Sequence, residues 1–292
     1  MIRAVVRRGD GLPSGRVWLR SVVRNAQLAL IDSGYLAVTS DISKAADGRF
    51  GLGTEKAVKA FQADKNLEPS GTVDRASWNG LDLHLRNALG NRETRTAELL
   101  HGFRGDLDWV HEKEGHRGRP YWPKEESGVT LDPGVDVGHA APDLVERLYG
   151  AWLTAPQMAA LRQVFGLRGV EADAALKASA VLAGIRVSSS QAAELMPYAA
   201  RGYWQRSCRR FKSLEREKTP ASVQTALLSL AYNRGDGNPY LESLGRLLED
   251  GLWNEVADKI AAMQQKHKLQ GIRIRRREEG SLIRAELEFL AS

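Results

Sequence analysis

Between residues 118 and 138 the chain reads GRPYWPKEESGVTLDPGVDVG, and this stretch constrains the fold more than any other. Prolines at 120, 123 and 133 and glycines at 118, 128, 134 and 138 interrupt any helical period, while its short alternating apolar pieces suit a twisted β-hairpin or small sheet. On both sides the pattern is helical. Upstream, residues 16–31 carry apolar positions 19, 22, 23, 26 and 30, an amphipathic spacing stopped at Ser33-Gly34. A loop runs to residue 53. A second helix over Thr54 to Gln62 puts Ala57, Val58 and Phe61 on one stripe with Thr54 as its N-cap, and a third over Ala76 to Leu89 carries Trp78, Leu81 and Leu85. Polar residues 90–98 read as a linker. Leu99, Phe103, Leu107 and Val110 then give a helix over Leu99 to Glu114, ended by Gly115. Everything after Ala141 reads as helical, with starts at Thr154-Ala155-Pro156, Ser188 to Ser190 and Thr219-Pro220. The fold class expected is mainly α: a small three-helix domain over 1–89 (core 17–83), a linker over 90–98, and an α+β domain over 99–292 with a small β-hairpin or sheet.

Composition narrows the partners. Of 292 residues, 42% are hydrophobic and 27% charged, which is the balance of a folded chain. The single cysteine, Cys208, excludes an intramolecular disulfide framework and a paired-cysteine zinc or redox motif. The N-terminus MIRAVVRRGDGLPSG shows no apolar core of a secretory signal, and no stretch approaches the roughly 20 apolar residues that span a bilayer. A soluble chain, made in the cytoplasm and without stable membrane association, is the expectation. The net charge of +6 permits an anionic polymer as partner. The densest basic run, residues 267–280, is interrupted by Ile272 and Ile274 and followed by Glu278 and Glu279, so it reads as an ion-paired helix start and no nucleic-acid partner is expected.

Glu114 is the candidate acid. It closes WVHEKEG, so it is the last side chain before a helix-ending glycine, with the Gly/Pro-rich segment beyond. A carboxyl held partly out of water at such a position can donate a proton to a leaving oxygen. Glu112 competes with it but lies about 200° around the helix, so both cannot face one cleft. HEKEGH at 111–116 is not a zinc motif, because its second histidine comes at i+5 where ligation from one helix face needs i+4. No phosphate-binding G-x4-G-K loop and no G-x-S-x-G elbow is present, and neither a metal nor a cofactor is expected.

Two resemblances organise these features. Val23, Gln27, Leu30 and Gly34-Tyr35, then DGRFGLGTEKAVKAFQ at 47–62, then Leu67, Gly71, Val73 and Trp78, resemble the three-helix peptidoglycan-binding domain of cell-wall hydrolases. The match spans residues 17–83, with a longer first loop and with Asp74 where that family often has glycine. It implies Asp47, Arg49 and Thr54 as residues touching glycan or stem peptide, with Phe61 and Trp78 as core. The array E-G-x5-Y-W-P…S-G-V-T-x3-G-V-D-x-G resembles the core of phage endolysins with a lysozyme-like fold. In that family the Glu before Gly is the general acid, which falls on Glu114. Across the cleft the resemblance places Thr130 and either Asp132 or Asp136, with Tyr121 and Ser127 contributing to substrate binding. Simple phage lysozymes carry an Asp shortly after the Glu, where this chain has Pro123, Lys124, Glu125 and Glu126. With a second carboxylate the enzyme would be a hydrolase; with Glu114 alone, the sugar's 6-hydroxyl can attack and give an anhydro product.

QTALLSLAYNRG at 224–235 and GIRIRRREEGSLI at 271–283 resemble two later segments of phage lysozymes, so the likeness covers most of residues 99–290. Gln224, Ala226, Leu227 and Leu230 read as packing; Ser229, Tyr232 and Asn233 are placed to reach the cleft floor, Asn233 being first a helix-stop residue. Arg275 and Arg276 pin the last helix. The whole is similar to the modular endolysins of giant Pseudomonas phages, in which the binding domain precedes the catalytic one. That implies a monomer acting on bacterial peptidoglycan, of Gram-negative type, by cleaving the β-1,4 bond between N-acetylmuramic acid and N-acetylglucosamine. It would collect in the host cytoplasm and reach the periplasm and wall on lysis. The competing class is a non-catalytic wall-binding or phage structural protein on a lysozyme-like body, which would be expected to lose Glu114 or the SGVT segment.

Overall fold

The computed structural model describes residues 1–39, 41–235 and 237–292. Ser40, inside the loop between the first two helices, lies outside them. In chain order the elements are α1 (Arg20–Asp32), α2 (Ile42–Ala45), α3 (Leu52–Asp64), α4 (Arg75–Leu99), α5 (Leu107–Glu114), β1 (Thr130–Leu131), β2 (Val135–Asp136), α6 (Pro142–Tyr149), α7 (Ala155–Arg162), α8 (Gly169–Ala178), α9 (Ala180–Ala183), α10 (Ser189–Arg210), α11 (Ala221–Arg234), α12 (Pro239–Glu242), α13 (Gly245–Asp250), α14 (Trp253–Ala262) and α15 (Gln270–Ala291). Two compact units result: Met1–Lys113 with Arg201–Ser292, and Glu114–Ala200.

In the first unit the expected small module is present, and one device builds it twice. Gln27, buried in α1, donates from Nε2 to Asp47 Oδ1, the Arg49 carbonyl and Thr54 Oγ1, each at 3.1 Å, and accepts from the Gly48 amide at 2.8 Å. Gln62, buried in α3, donates to Ser70 Oγ (3.3 Å), the Thr72 carbonyl (2.8 Å) and Ser77 Oγ (2.9 Å), and accepts from the Gly71 amide at 2.9 Å. Each glutamine thus spends both ends of its amide on the loop that starts the next helix. Each loop turns at a glycine in the left-handed region, Gly48 at φ +74° and Gly71 at φ +75°. Trp78, on α4, is fully buried with its Nε1 on the Ala4 carbonyl at 2.9 Å. Asp74 caps α4, accepting from the Ser77 amide at 2.9 Å.

Three boundaries differ from the sequence reading. α3 begins at Leu52 with Gly51 as N-cap, so Thr54 is not the cap; its hydroxyl is held by Gln27 instead. The span read as a linker is helical: α4 breaks its geometry at Gly90 (φ +41°) and resumes to Leu99, because the Arg, Glu and Ala that make this stretch polar are also good helix formers. The helix expected over Leu99 to Glu114 is confined to α5. Phe103, Leu107 and Val110 are buried as their spacing requires. Gly102 nevertheless takes φ +74°, and Asp106 caps a fresh helix by accepting the Trp109 amide at 3.0 Å.

The core of this unit is α11, buried on every side from Ala221 to Ala231. α11 packs against α15, and α14 lies along α15. Two of its polar side chains are satisfied internally. Gln224 accepts from the Arg104 amide at 2.6 Å and donates to the Gly102 and Leu214 carbonyls at 3.0 and 2.7 Å; Thr225 accepts from the Asp106 amide at 2.8 Å.

The second unit is built on the hairpin. β1 and β2 pair antiparallel with Thr130 opposite Asp136 and Leu131 opposite Val135, and Tyr121 adds a bridge to Thr130. Alternation sends Val129, Leu131, Val135 and Val137 into a core with Val145, Leu148, Tyr149 and Leu161. The same alternation leaves Thr130, Asp132 and Asp136 together on the opposite face. α7 starts at the expected Thr154-Ala155-Pro156, where the structure adds a capping box between Thr154 and Gln157.

Candidate active site

Glu114 is the last residue of α5, and Gly115 turns the chain away at φ +77°. The side chain is half-buried. Glu112, its competitor, faces elsewhere, ion-paired to Arg24 at 2.6 Å. The chain after Gly115 is tied down by Asp132. Its Oδ2 accepts from the amides of Arg117 (2.8 Å) and Gly118 (2.6 Å) and lies 3.1 Å from His116 Nδ1, while its own carbonyl accepts from the Tyr149 hydroxyl at 2.9 Å. Burial pushes the Tyr149 phenol far up, so it serves as a permanent donor there.

Asp136 plays the matching part on β2. Its Oδ1 accepts from the Gly128 and Gly138 amides at 3.0 and 2.9 Å, and its Oδ2 takes the Gly128 amide and His139 Nδ1, both at 3.0 Å. Gly128 and Gly138 must be glycine here: a Cβ on Gly128 would stand 2.4 Å from Asp136 Oδ1 and 2.5 Å from the Gly138 nitrogen. Both aspartates offered as second catalytic carboxylates are therefore engaged as acceptors for backbone amides. Asp132 is 3% exposed. The sequence reading saw carboxylates at this spacing but not the amides converging on them.

Thr130 is buried as well, with its hydroxyl 3.3 Å from the Gly128 carbonyl. Ser127 is half-buried, and its carbonyl takes Trp122 Nε1 and the Gly169 amide, both at 3.0 Å. Tyr121 is half-buried under the Arg117 guanidinium, which stacks 4.0 Å from its ring centre. Burial pushes the Tyr121 phenol upward; Arg117 opposes this, while the charges of Asp132, Glu114 and Asp136 add to it. Tyr121, Ser127, Thr130, Asp132 and Asp136 share one unit with Glu114.

The cleft-floor candidates belong to the first unit. Ser229 is fully buried: its hydroxyl lies 2.5 Å from Glu279 Oε1 and accepts from Arg275 Nη2 at 2.8 Å, so it is an internal polar link rather than an exposed floor residue. The sequence placed it on a reachable face because the motif spacing does not reveal that α11 is buried all round. Tyr232 is half-buried against Tyr203, their ring centres 4.8 Å apart. Asn233 is half-buried on the last turn of α11, its Oδ1 enclosed without a hydrogen-bond partner among the described residues. Arg275 and Arg276 do lie inside α15's packing, at 6% and 0% exposure, around the fully buried Glu279. Burial raises the Glu279 carboxyl; both arginines pull it back.

In the small module, Asp47 Oδ1 also accepts from the Arg49 amide at 2.8 Å, and Thr54 is 4% exposed. Arg49 alone of the three proposed ligand residues projects an exposed side chain. The paired roles of Gln27 and Gln62, and of His116 and His139 beside the aspartates, were not read from the sequence. The D-x-G-H spacing at 136–139 is the signal that marks an aspartate closing its own turn.

Burial pushes the Cys208 thiol up to about 12, which rules out a thiolate nucleophile. His111 is inside α5 and His116 beyond its end, so they share no helix face. Among the described residues no cluster of His, Cys, Asp or Glu could hold a metal ion, and no helix is long and apolar enough to cross a membrane.

Residues 20–81 match the family model of a putative peptidoglycan binding domain, and residues 168–279 match that of phage lysozyme. No curated protein matches the chain. Among solved structures it is similar to the crystal structure of the active form of P1 phage endolysin Lyz, at 16% identity over 67% of this chain and 94% of that chain, with a TM-score of 0.38. The lysozyme match begins downstream of Glu114 and of the hairpin.

Proposed function

We propose that this modular endolysin, a peptidoglycan-binding domain ahead of a phage lysozyme domain, cleaves the β-1,4 bond between N-acetylmuramic acid and N-acetylglucosamine with Glu114 as its acid. The observation that carries the assignment is the position of Glu114, the half-buried last residue of α5 directly before Gly115 (φ +77°), in one compact unit with the hairpin. Asp132 and Asp136 are committed to backbone amides.

Glu114 would give its proton to the glycosidic oxygen as the C1–O bond breaks. An inverting hydrolase needs a second carboxylate to activate water, and neither hairpin aspartate has that freedom. The muramic 6-hydroxyl supplies a nucleophile already attached to the substrate. It would attack C1 and return its proton to the Glu114 carboxylate, closing a 1,6-anhydro ring. Mass spectrometry of muropeptides released from purified peptidoglycan tests this. Products one water lighter than hydrolysed ends are expected; hydrated reducing ends would overturn the single-carboxylate mechanism and direct the search to Glu125 and Glu126, both exposed in the preceding loop.

The binding domain would hold the enzyme on the wall through Arg49 and its loop. We place the chain in the host cytoplasm until the membrane is opened, acting then on Gram-negative peptidoglycan. Fractionation of infected cells before and after lysis tests that order.

A further inference from the structure

α5 is eight residues long, too short to hold a helix by itself in water, so its position is set by what grips it. Three of the grips come from upstream of residue 100. Arg92, on the part of α4 beyond Gly90, meets both carboxylate oxygens of Asp108, with Nη1 on Oδ2 at 2.9 Å. Trp109, at 1% exposure, donates from Nε1 to the carbonyl of Trp18 at 2.9 Å, in the turn that leads into α1. Glu112 pairs with Arg24 of α1 at 2.6 Å, with 25% and 26% of the two side chains exposed, so water screens this pair less than a surface one. Burial works against the Arg24 charge, but Glu112 outweighs it and, with Asp108 and Asp106, raises the guanidinium. The fourth grip is on Lys113, which lies 4.9 Å over the Trp109 ring and 2.7 Å from Glu278 of α15. All of these residues belong to the compact unit formed by Met1–Lys113 and Arg201–Ser292. Glu112 lies about 200° around the helix from Glu114 and Trp109 about 140°, so α5 is held on the side away from the acid.

We propose that the peptidoglycan-binding domain is part of the catalytic apparatus as well as a wall anchor: Arg24, through Glu112, is a positioning residue that fixes where α5 presents Glu114. This rests on the reading of Glu114 as the acid. A general acid must stand within hydrogen-bond reach of the oxygen it protonates, and a misplacement of about 1 Å costs up to about 10²-fold in rate. Glu112 and Glu114 sit on the same last turn of one short helix, so any rotation or slide that Arg24 prevents at Glu112 is prevented at Glu114. Arginine suits the task because its planar fork fixes direction as well as distance, which the point charge of a lysine does not. Retention on the wall alone asks only for a tether of sufficient reach. The contacts from α1 and α4 to α5 go beyond that need.

The test measures kcat and KM on short soluble glycan strands, which need no retention on the wall, with the full chain at equal amounts of folded protein well below its melting temperature. Arg24→Met is expected to lower kcat about tenfold or more with KM held within about twofold, while retention on purified wall matches the wild type. Arg24→Glu should lose more, because it repels Glu112, and adding Glu112→Arg should bring kcat back to within about threefold of the wild type. Arg24→Lys keeps the charge without the fork; it should fall between the wild type and Arg24→Met, and it carries the comparison if the charge-reversed proteins do not fold. A pair that only stabilises the fold would lower the melting temperature and leave kcat per folded molecule unchanged, and that result would overturn the proposal. So would a loss in Arg24→Glu that Glu112→Arg does not repair, or a loss seen on intact wall and not on soluble strands, which would leave the domain as an anchor. The acid assignment fails separately: a Glu114→Gln protein as active as the wild type, beside a repaired loss at Arg24, would discard the acid and keep the domain's hold on α5.

Discussion

Replacing Asp132 by asparagine separates a carboxylate that organises the polypeptide from one that acts on substrate. The aspartate takes two backbone amides at 2.8 and 2.6 Å and His116 Nδ1 at 3.1 Å on a single oxygen, at 3% exposure. Asparagine keeps the shape and one accepting oxygen but removes the charge. Hydrogen bonds to charged groups contribute about 1 kcal/mol more than neutral ones, so weakening two or three of them costs about 2 kcal/mol, a little less because Arg117 and His116 are partly hydrated. In a domain of this size that lowers the melting temperature by several degrees. The assay is a urea unfolding curve beside muropeptide release measured well below the midpoint. The expected result is a clear loss of stability with kcat held within about tenfold. Loss of a general base costs about 10²–10⁴ in rate, so a drop in kcat beyond a hundredfold at unchanged stability would show that Asp132 works on the substrate, and would refute the account of it as a backbone anchor.

Other outcomes follow from the same geometry. Burial, reinforced by the Asp108 charge, pushes the Asp106 carboxyl up to about 6. Its folded pKa thus exceeds its unfolded one, so its contribution is complete below pH 4 and is lost as pH rises through 6, by up to about 3 kcal/mol. Asp106→Asn, which keeps the α5 cap, should therefore lose less stability than the wild type between pH 4 and pH 7 in urea titrations, and parallel curves would contradict this. Gly128→Ala puts a methyl group against Asp136 Oδ1 and the Gly138 nitrogen; overpacking of that kind costs about 1–3 kcal/mol, read as a lower midpoint. In the binding module, Gln27→Ala should cost about 2–4 kcal/mol by stranding the donors and acceptors of the Gly48 loop. Arg49→Ala should reduce retention on purified wall in a pull-down without moving the melting temperature.

Much of the helical layout was legible because amphipathic spacing and caps act over a few residues. The stripes on α1, α3 and α4 and the capping box at Thr154 are local signals that the fold retains. The failures share one cause, since each depended on something distant in sequence. Leu99, Phe103, Leu107 and Val110 have helical spacing, yet the turn at Gly102 and the Asp106 amide bond to Thr225 divide the segment. Gln224 was legible as packing, whereas Ser229 reads as a cleft-floor residue until the all-round burial of α11 encloses it. Asp132 and Asp136 were read as alternative hairpin carboxylates from the resemblance alone. Their commitment to amides was not legible, because backbone donors have no letter in the sequence. The helix end at Glu114 was legible for the opposite reason: its last turn and the following glycine are contiguous in sequence.

The central claim is that Glu114 supplies the proton. Glu114→Gln keeps the size of a half-buried side chain and removes only its acidity, so the variant should fold as the wild type does. Muropeptide release from purified peptidoglycan, followed by mass spectrometry with equal amounts of folded protein, is predicted to fall by about 10²–10⁴ while binding to the wall persists. Release by the Glu114→Gln protein at a rate comparable to the wild type would contradict the account.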